Sequence, residues 1–314
     1  MTAAAAKRTE PRKKAAAAAA PPASTGGAGS TAWVAFWRIL ILAALLVVWQ
    51  WGYRLRPYAP WLVPDLLDPY FISTPQEIWS RLLRLGCLTD RGGAWLDSGG
   101  IATCLDKTSN NLWMATLVTL KNTFWGFLTG VTSGVAAGLL LGRSAFLARV
   151  FEPYIIAFNS IPRIALVPII ILMFGLGDMS KVMTAWVIVF FLVFFNTFEG
   201  ARAVDRDHIA AARLLGASQW QVLRTVVIPS TMAWVFASLT PAISFSLIGV
   251  IVGEFIGAER GLGKLIVEAE ARAEAADMMV AVFVLMVVGV VLSIGIRQLQ
   301  HYLLRWQAHF QEKG

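Results

Sequence analysis

Stretches without a single charged side chain constrain this chain more than any other feature. Asn122–Gly142, Val182–Phe198, Met232–Gly253 and Met278–Ile296 contain no Asp, Glu, Lys or Arg. Ala32–Tyr53 carries only Arg38, and a sixth apolar stretch, Phe151–Gly177, is interrupted by Pro162, Arg163 and Pro168. A helix that crosses the hydrocarbon of a bilayer needs about 20 apolar residues, because each adds about 1.5 Å. Its backbone N–H and C=O groups must pair within the segment, which a helix does unaided. The expectation is an all-α membrane protein with about six transmembrane helices. Composition points the same way. The chain is 57% hydrophobic and 15% charged, with mean hydropathy +0.64, whereas soluble domains are about 25% charged.

Residues 1–30 differ in kind. They are basic and rich in Ala and Pro, without the bulky side chains that build a core, and are predicted to form a disordered cytoplasmic tail. The apolar segment that follows, 31–53, is too long for a signal peptide and no A-x-A-like site comes after it, so an uncleaved first spanning helix is expected. The remaining division is an outer segment over 54–111, a core of spanning helices over 112–306, and a short inner tail over 307–314. Of the 27 Lys and Arg residues, six spans with both termini inside place 15 in inner segments and 11 in outer ones, with Arg163 left in the membrane. That bias favours cytoplasmic termini. Topology thereby accounts for the net charge of +8, and no nucleic-acid partner is needed.

The outer segment contains both cysteines, Cys87 and Cys104. An oxidising compartment would permit a bridge there, but spacing alone leaves open whether the two sulfurs meet. Thr74 and Pro75 have the character of a helix start, and Ile78, Leu82 and Leu85 share one face of the helix that follows. This amphipathic helix is predicted to lie on the membrane surface. Asn111–Lys121 is expected to lead into the second span.

Within the spans, Gly126, Gly130, Gly134 and Gly138 recur every four residues and fall on one helix face, where small residues allow close backbone approach. Pro162 and Pro168 each lack a donor and are expected to bend the third span, with Arg163 beside the first bend. An intramembrane arginine is a functional candidate; if its helix starts later, Arg163 sits at the cytosolic interface instead. Asn159, Ser160, Asn196, Ser244 and Ser246 are polar groups inside spans, and Glu254 ends the fifth on the outer side. Each is a candidate for a translocation pathway or for hydrogen bonding between helices.

Between the fourth and fifth spans lies EGARAVDRDHIAAARLLGASQWQVLRTVVIPSTM. It is too polar to span and too periodic to be disordered. Asp205 or Asp207 can cap a helix over about His208–Leu215, Gly216 can end it, Ser218 can cap the next, and Pro229 marks the return to the membrane. The three alanines Ala210, Ala211 and Ala212 suit a helix that seats in a partner's groove.

This run resembles the signature of binding-protein-dependent ABC importer permeases, E-A-A-x3-G-x9-I-x-L-P. Ala210, Ala211 and Ala212 take its first three places, Gly216 follows at the required distance, and Val226, Ile228 and Pro229 close it. Ala210 stands where the family has Glu, which removes a charge that could pair with the ATPase. LLLGRS, EPYIIAFNSIPRIALVPIIILMFGLG, GARAVD and GEFIGAERGLGKLI extend the similarity to the nitrate/taurine/sulfonate branch, over about Leu112–Trp306, with Cys87–Asn110 resembling an insertion. The resemblance implies a type I importer transmembrane domain in a bacterial inner membrane, a homodimer of permeases, a cytosolic ATPase dimer that binds ATP-Mg, and a periplasmic solute-binding protein. It implies that about 206–216 is the coupling helix, with Asp205, His208, Ala210, Ala211, Ala212, Arg213, Gly216 and Pro229 at the ATPase contact. A small anion is the implied solute: nitrate, bicarbonate, taurine or another sulfonate or organic acid.

Other signals fail. GLGKL at Gly261–Leu265 lacks the first glycine of a phosphate loop, since Ala258 holds that place, and lacks Ser or Thr after Lys264. The expectation is that the chain is not itself an enzyme and carries no cofactor or metal; its three histidines are widely spaced. A secondary transporter or channel is the alternative, and it leaves the long inner helix pair unexplained.

Overall fold

The computed structural model describes residues 28–55, 68–89, 95, 101, 104, 111–257 and 259–303. The tail expected over 1–30 lies outside them except for 28–30, which already belong to the first helix, and so do 307–314 and most of the insertion. The chain divides into two compact units, Met1–Val48 and Trp49–Gly314. The described part of the first unit is helix α1 (Ala28–Trp51) up to Val48. Near its start Trp33, Phe36 and Trp37 pack ring against ring at 5.8–6.0 Å between centroids.

The second unit contains α2 (Pro75–Leu85), α3 (Leu112–Arg143), α4 (Ala145–Ser160), α5 (Val167–Phe174), α6 (Asp178–Arg202), α7 (Arg206–Leu214), α8 (Ile228–Gly257), α9 (Leu262–Ala271) and α10 (Ala275–Leu303). Among the described residues five helical stretches are long and apolar enough to cross a membrane, and six if α4 and the following Arg163–Phe174 form one bent span.

The sequence places most helix ends by their caps. Asn111 accepts the Met114 N–H at 2.8 Å and opens α3. Ser144 closes α3 and, accepting the Leu147 N–H at 3.3 Å, opens α4. The lead-in expected over Asn111–Lys121 is helical and continuous with the span, in one uninterrupted 32-residue helix. That helix is about 48 Å long, well beyond the hydrocarbon thickness, so its first turns carry Lys121 clear of the apolar stretch.

The interface of α3 with α6 is the most extensive in the bundle, and glycine makes it so. A Cβ on Gly130 would lie 2.7 Å from the Val189 side chain, and one on Gly138 would lie 2.7 Å from Thr197 Cβ and 2.9 Å from the Phe194 carbonyl oxygen. Gly142 extends the stripe by another turn, against Ala201. At the same stretch of α6, Gly249 of α8 sets its Cβ position 2.9 Å from Ala185 Cα, the residue that Gly126 of α3 also faces. α3, α6 and α8 therefore meet at backbone distance, which is how helices associate where burial of apolar surface gives no drive.

Two expectations are corrected here. α2 does not rest on the membrane by its apolar face. Ile78, Leu82 and Leu85 pack onto Leu112, Ala115, Leu262 and Val280, and Arg81 Nη1 meets Asp277 Oδ1 of α10 at 3.3 Å. An amphipathic pattern reports a buried stripe without saying whether protein or lipid covers it. Pro168, expected to bend the third span, sits in the first turn of α5, where no donor is required. The bend belongs to Pro162 alone: α4 and the Arg163–Phe174 segment meet at 84°. The structure joins Cys87 to Cys104 in a disulfide, with Cα atoms 5.8 Å apart.

Candidate functional site

The loop after α6 folds as a helix–turn–helix. Asp205 accepts the Asp207 N–H at 2.9 Å and is the cap, of the two that the sequence offered. Ile209 and Ala212 then point into a small core with Val204, Val222 and Val227. The end of α7 is a Schellman turn: Gly216 takes φ +86°, its N–H donates to Arg213 O at 2.9 Å, and the Ala217 N–H donates to Ala212 O at 3.1 Å. Ser218 and Gln221 form a reciprocal capping box. Leu223–Val227 widen into a π-turn just before Pro229, which has no N–H to give to the Thr225 carbonyl; the chain continues without interruption into α8. Pro229 thus lies within one helical stretch, where the sequence suggested a boundary.

What this scaffold presents outward is apolar and basic. Leu214 and Leu215 are 89% and 90% exposed, Trp220 is 66% exposed, and Ala210 and Ala211 are exposed beside them. Ala212, expected to face a partner with the other two alanines, is half-buried in the loop's own core. Arg206, Ile209, Ala210, Arg213 and Leu214 line an open concavity of about 500 Å³. His208 and Arg213 are exposed on the same helix. Leucines this open on a loop held by two caps and a Schellman turn form a rigid apolar knob.

The pathway candidates separate into groups. Ser246 is fully buried and donates to the Thr123 carbonyl of α3 at 2.8 Å, so it ties α8 to α3. Asn196 turns back onto its own helix, donating to Leu192 O at 2.8 Å. Asn159, Ser160 and Ser244 are exposed. Asn159 and Arg163 come together across the break after α4, with Arg163 Nη2 donating to Asn159 Oδ1 at 2.9 Å.

Glu254 is 1% exposed and knits one end of the bundle. One oxygen accepts the Thr119 hydroxyl at 2.8 Å and the other accepts the Gly263 N–H at 2.8 Å, while Thr119 Oγ1 accepts the Leu262 N–H at 3.0 Å. α3, α8 and the start of α9 thus share one carboxylate. Glu254→Ala would leave buried donors unpaired, at about 1–3 kcal/mol. Its thermal midpoint in detergent is expected to fall several degrees, and Glu254→Gln, which keeps one acceptor oxygen, to fall less. Equal midpoints for the two variants would refute this assignment.

A second cluster joins Lys121 and Asn122 of α3 to Asp178 and Lys181 of α6. Asp178 accepts from Lys121, Asn122 and Lys181, each at 3.3 Å, and Lys181, 2% exposed, also donates to Arg260 O at 3.3 Å. At the rim outside the spans, Arg272 donates to Glu274 at 2.9 Å and holds that carboxyl below its usual range. Near the C-terminal end of α10, Gln300 donates to Phe236 O at 2.6 Å and accepts from Thr240 at 3.2 Å, joining α10 to α8. Sequence reasoning named none of Thr119, Asn122, Asp178, Lys181 or Gln300. A carboxylate and an ammonium three residues apart at the start of a span, as in Asp178 and Lys181, was the one available signal.

Apolar helices packed on glycine, with a capped helix–turn–helix standing out at one end, define a multi-pass permease of the type I importer fold. The chain belongs to the family of binding-protein-dependent transport system inner membrane components, whose model matches residues 130–309. It is 27% identical over 273 residues to the taurine transport system permease protein TauC of Escherichia coli, covering 86% of this chain and 89% of that one. It is 29% identical to the riboflavin transport system permease protein RibX of Chloroflexus aurantiacus (88% and 92% covered), and 27% identical to the nitrate import permease protein NrtB of Synechococcus elongatus (70% and 80%). In fold it is similar to a chain of the inward-facing MetNI methionine ABC transporter, with TM-score 0.53, 19% identity, and 61% of this chain and 96% of that one covered. Members of this family are inner-membrane components of a transport system; they are permeases and do not themselves carry out catalysis.

Proposed function

We propose that the chain forms the translocation pathway of an ATP-driven importer for a small anion, working as a pair of copies with a cytosolic ATPase dimer and a periplasmic solute-binding protein. The observation that carries this reading is α7. Leu214, Leu215 and the exposed alanines project from a loop whose geometry is locked by Asp205, Gly216 and the Ser218–Gln221 box. A rigid apolar knob at the end of a helix bundle suits insertion into a groove of another protein, and ATP-Mg would be bound there, by that partner. With α7 on the cytosolic side, both chain termini are cytoplasmic.

Transport by alternating access requires nucleotide to favour one state over the other. Inverting a population from about 1:99 to 99:1 needs about 5.5 kcal/mol of differential interaction, and the contact at α7 is where that difference enters the membrane. The similarity to permeases named for taurine and nitrate transport supports an anion, with bicarbonate and other sulfonates or organic acids in the same chemical range.

The test is a mild-detergent pull-down of the tagged chain from native membranes with quantitative mass spectrometry. A cytosolic ATPase recovered at about one copy per permease is the expected result. Recovery of the intact, folded chain alone would replace this function with that of a secondary transporter or channel.

A further inference from the structure

The break in the third span places a cation, Arg163, among apolar side chains. Lys121 and Lys181 share Asp178, and Arg81 has Asp277. Arg163 has no carboxylate partner among the described residues, and of the five N–H donors on its guanidinium only one, on Nη2, meets a protein acceptor, the neutral Asn159 amide oxygen. Its Nε is buried and unpaired. The guanidinium lies over Phe191, 5.6 Å from the ring centroid, and Phe191 is stacked on Phe158 at 6.0 Å. An aromatic floor and an amide thus fix the fork while its remaining donors stay open, for the residue is only partly buried. The neighbouring side chains Phe158, Ile161 and Ile164 are exposed and apolar. An arginine within a spanning segment is costly and marks a substrate or ion path. A planar fork of donors matches the oxygens of a carboxylate, sulfonate or nitrate group.

We propose that Arg163, oriented by Asn159 and Phe191 at the broken span, is an oxyanion-binding site of this permease. The chemistry it recognises is a small group with two or three charged oxygens. That group belongs either to the passing solute, an assignment that rests on the importer reading above, or to the phosphate of a lipid headgroup.

A thiol probe separates these cases without the ATPase, so its outcome does not depend on the pull-down. Cys87 and Cys104 are the only cysteines and are bonded to each other, so Ser160→Cys introduces a single free thiol at an exposed position three residues from Arg163, across the break. The full-length variant in phosphatidylcholine nanodiscs is reacted with sulfonatoethyl and trimethylammonioethyl methanethiosulfonate, each rate normalised to that with a free thiol. The expected result is a roughly tenfold preference for the anionic reagent. The preference is retained with Arg163→Lys, lost with Arg163→Gln, and suppressed by millimolar nitrate or taurine. Suppression by phosphatidylglycerol in the nanodisc, and not by nitrate or taurine, assigns the same oxyanion site to lipid. No preference for the anionic reagent, or a preference that survives Arg163→Gln, overturns the proposal.

Discussion

Gly216→Pro is expected to leave the protein folded in the membrane and to reduce recovery of the ATPase in the pull-down by about tenfold or more. Gly216 holds φ +86°, and proline is confined near −65°. Proline also lacks the N–H that Gly216 donates to Arg213 O. The Schellman turn cannot form, and Leu214 and Leu215 leave the position that the turn gives them. Distortion of this kind costs about 3 kcal/mol locally. No atom lies within 4 Å of a Cβ built at Gly216, so the effect is one of backbone conformation without collision. Gly216→Ala, which pays only the modest cost of a left-handed residue, about 1 kcal/mol, is expected to retain most of the recovery. Full recovery of the ATPase with the proline variant would remove α7 from the contact.

Gly138→Val is expected to have the largest effect on stability. Its Cβ would stand 2.9 Å from the Phe194 carbonyl oxygen and 3.0 Å from the Phe198 nitrogen, both backbone atoms of α6 that no rotamer change can move. α3 and α6 must separate, and contact is lost along the whole glycine stripe. Overpacking a core costs about 1–3 kcal/mol where side chains can yield, and here the obstruction is main chain. The expected result is a thermal midpoint in detergent lowered by ten degrees or more, or failure to accumulate in the membrane. Gly295→Ala is the matched control, because a Cβ there meets nothing within 4 Å. A normal midpoint for Gly138→Val would mean that α3 and α6 are not in contact at this position.

The spans could be read from the sequence because a missing charge is a strong and local signal, as over Asn122–Gly142 and Met278–Ile296. α7 could be read for a related reason: Asp205, Gly216 and Ser218 each act on their own few residues. What escaped depends on partners distant in the chain. The apolar face of α2 has the same pattern whether it meets lipid or, as here, Leu262 and Val280. Lys181 looks like an exposed flanking cation until Asp178 and the Arg260 carbonyl close over it. Glu254 looks like a residue at a helix end until Thr119 and Gly263 take both of its oxygens. Pro162 and Pro168 are alike in sequence, and only the position of each relative to a helix start decides which one bends the chain.

The close packing of three helices has a mechanical consequence. Gly126 of α3 and Gly249 of α8 both close on Ala185 of α6, and Ser246 ties α8 to Thr123 of α3 beside them, so the three helices meet at backbone distance. α6 is a helix of 25 residues, about 37 Å long. α7 follows its C-terminal end directly, while Asp178 and Lys181 stand at its N-terminal end. A tilt of about 5° pivoting at the C-terminal end would displace the N-terminal end of such a helix by about 3 Å, comparable to the length of one hydrogen bond in the Asp178 cluster. The breaks in helical regularity lie elsewhere, at Pro162, the Gly175–Gly177 turn and the π-turn before Pro229. On the coupling proposed above, unbroken helices packed backbone to backbone would carry a push on α7 from one membrane surface to the other.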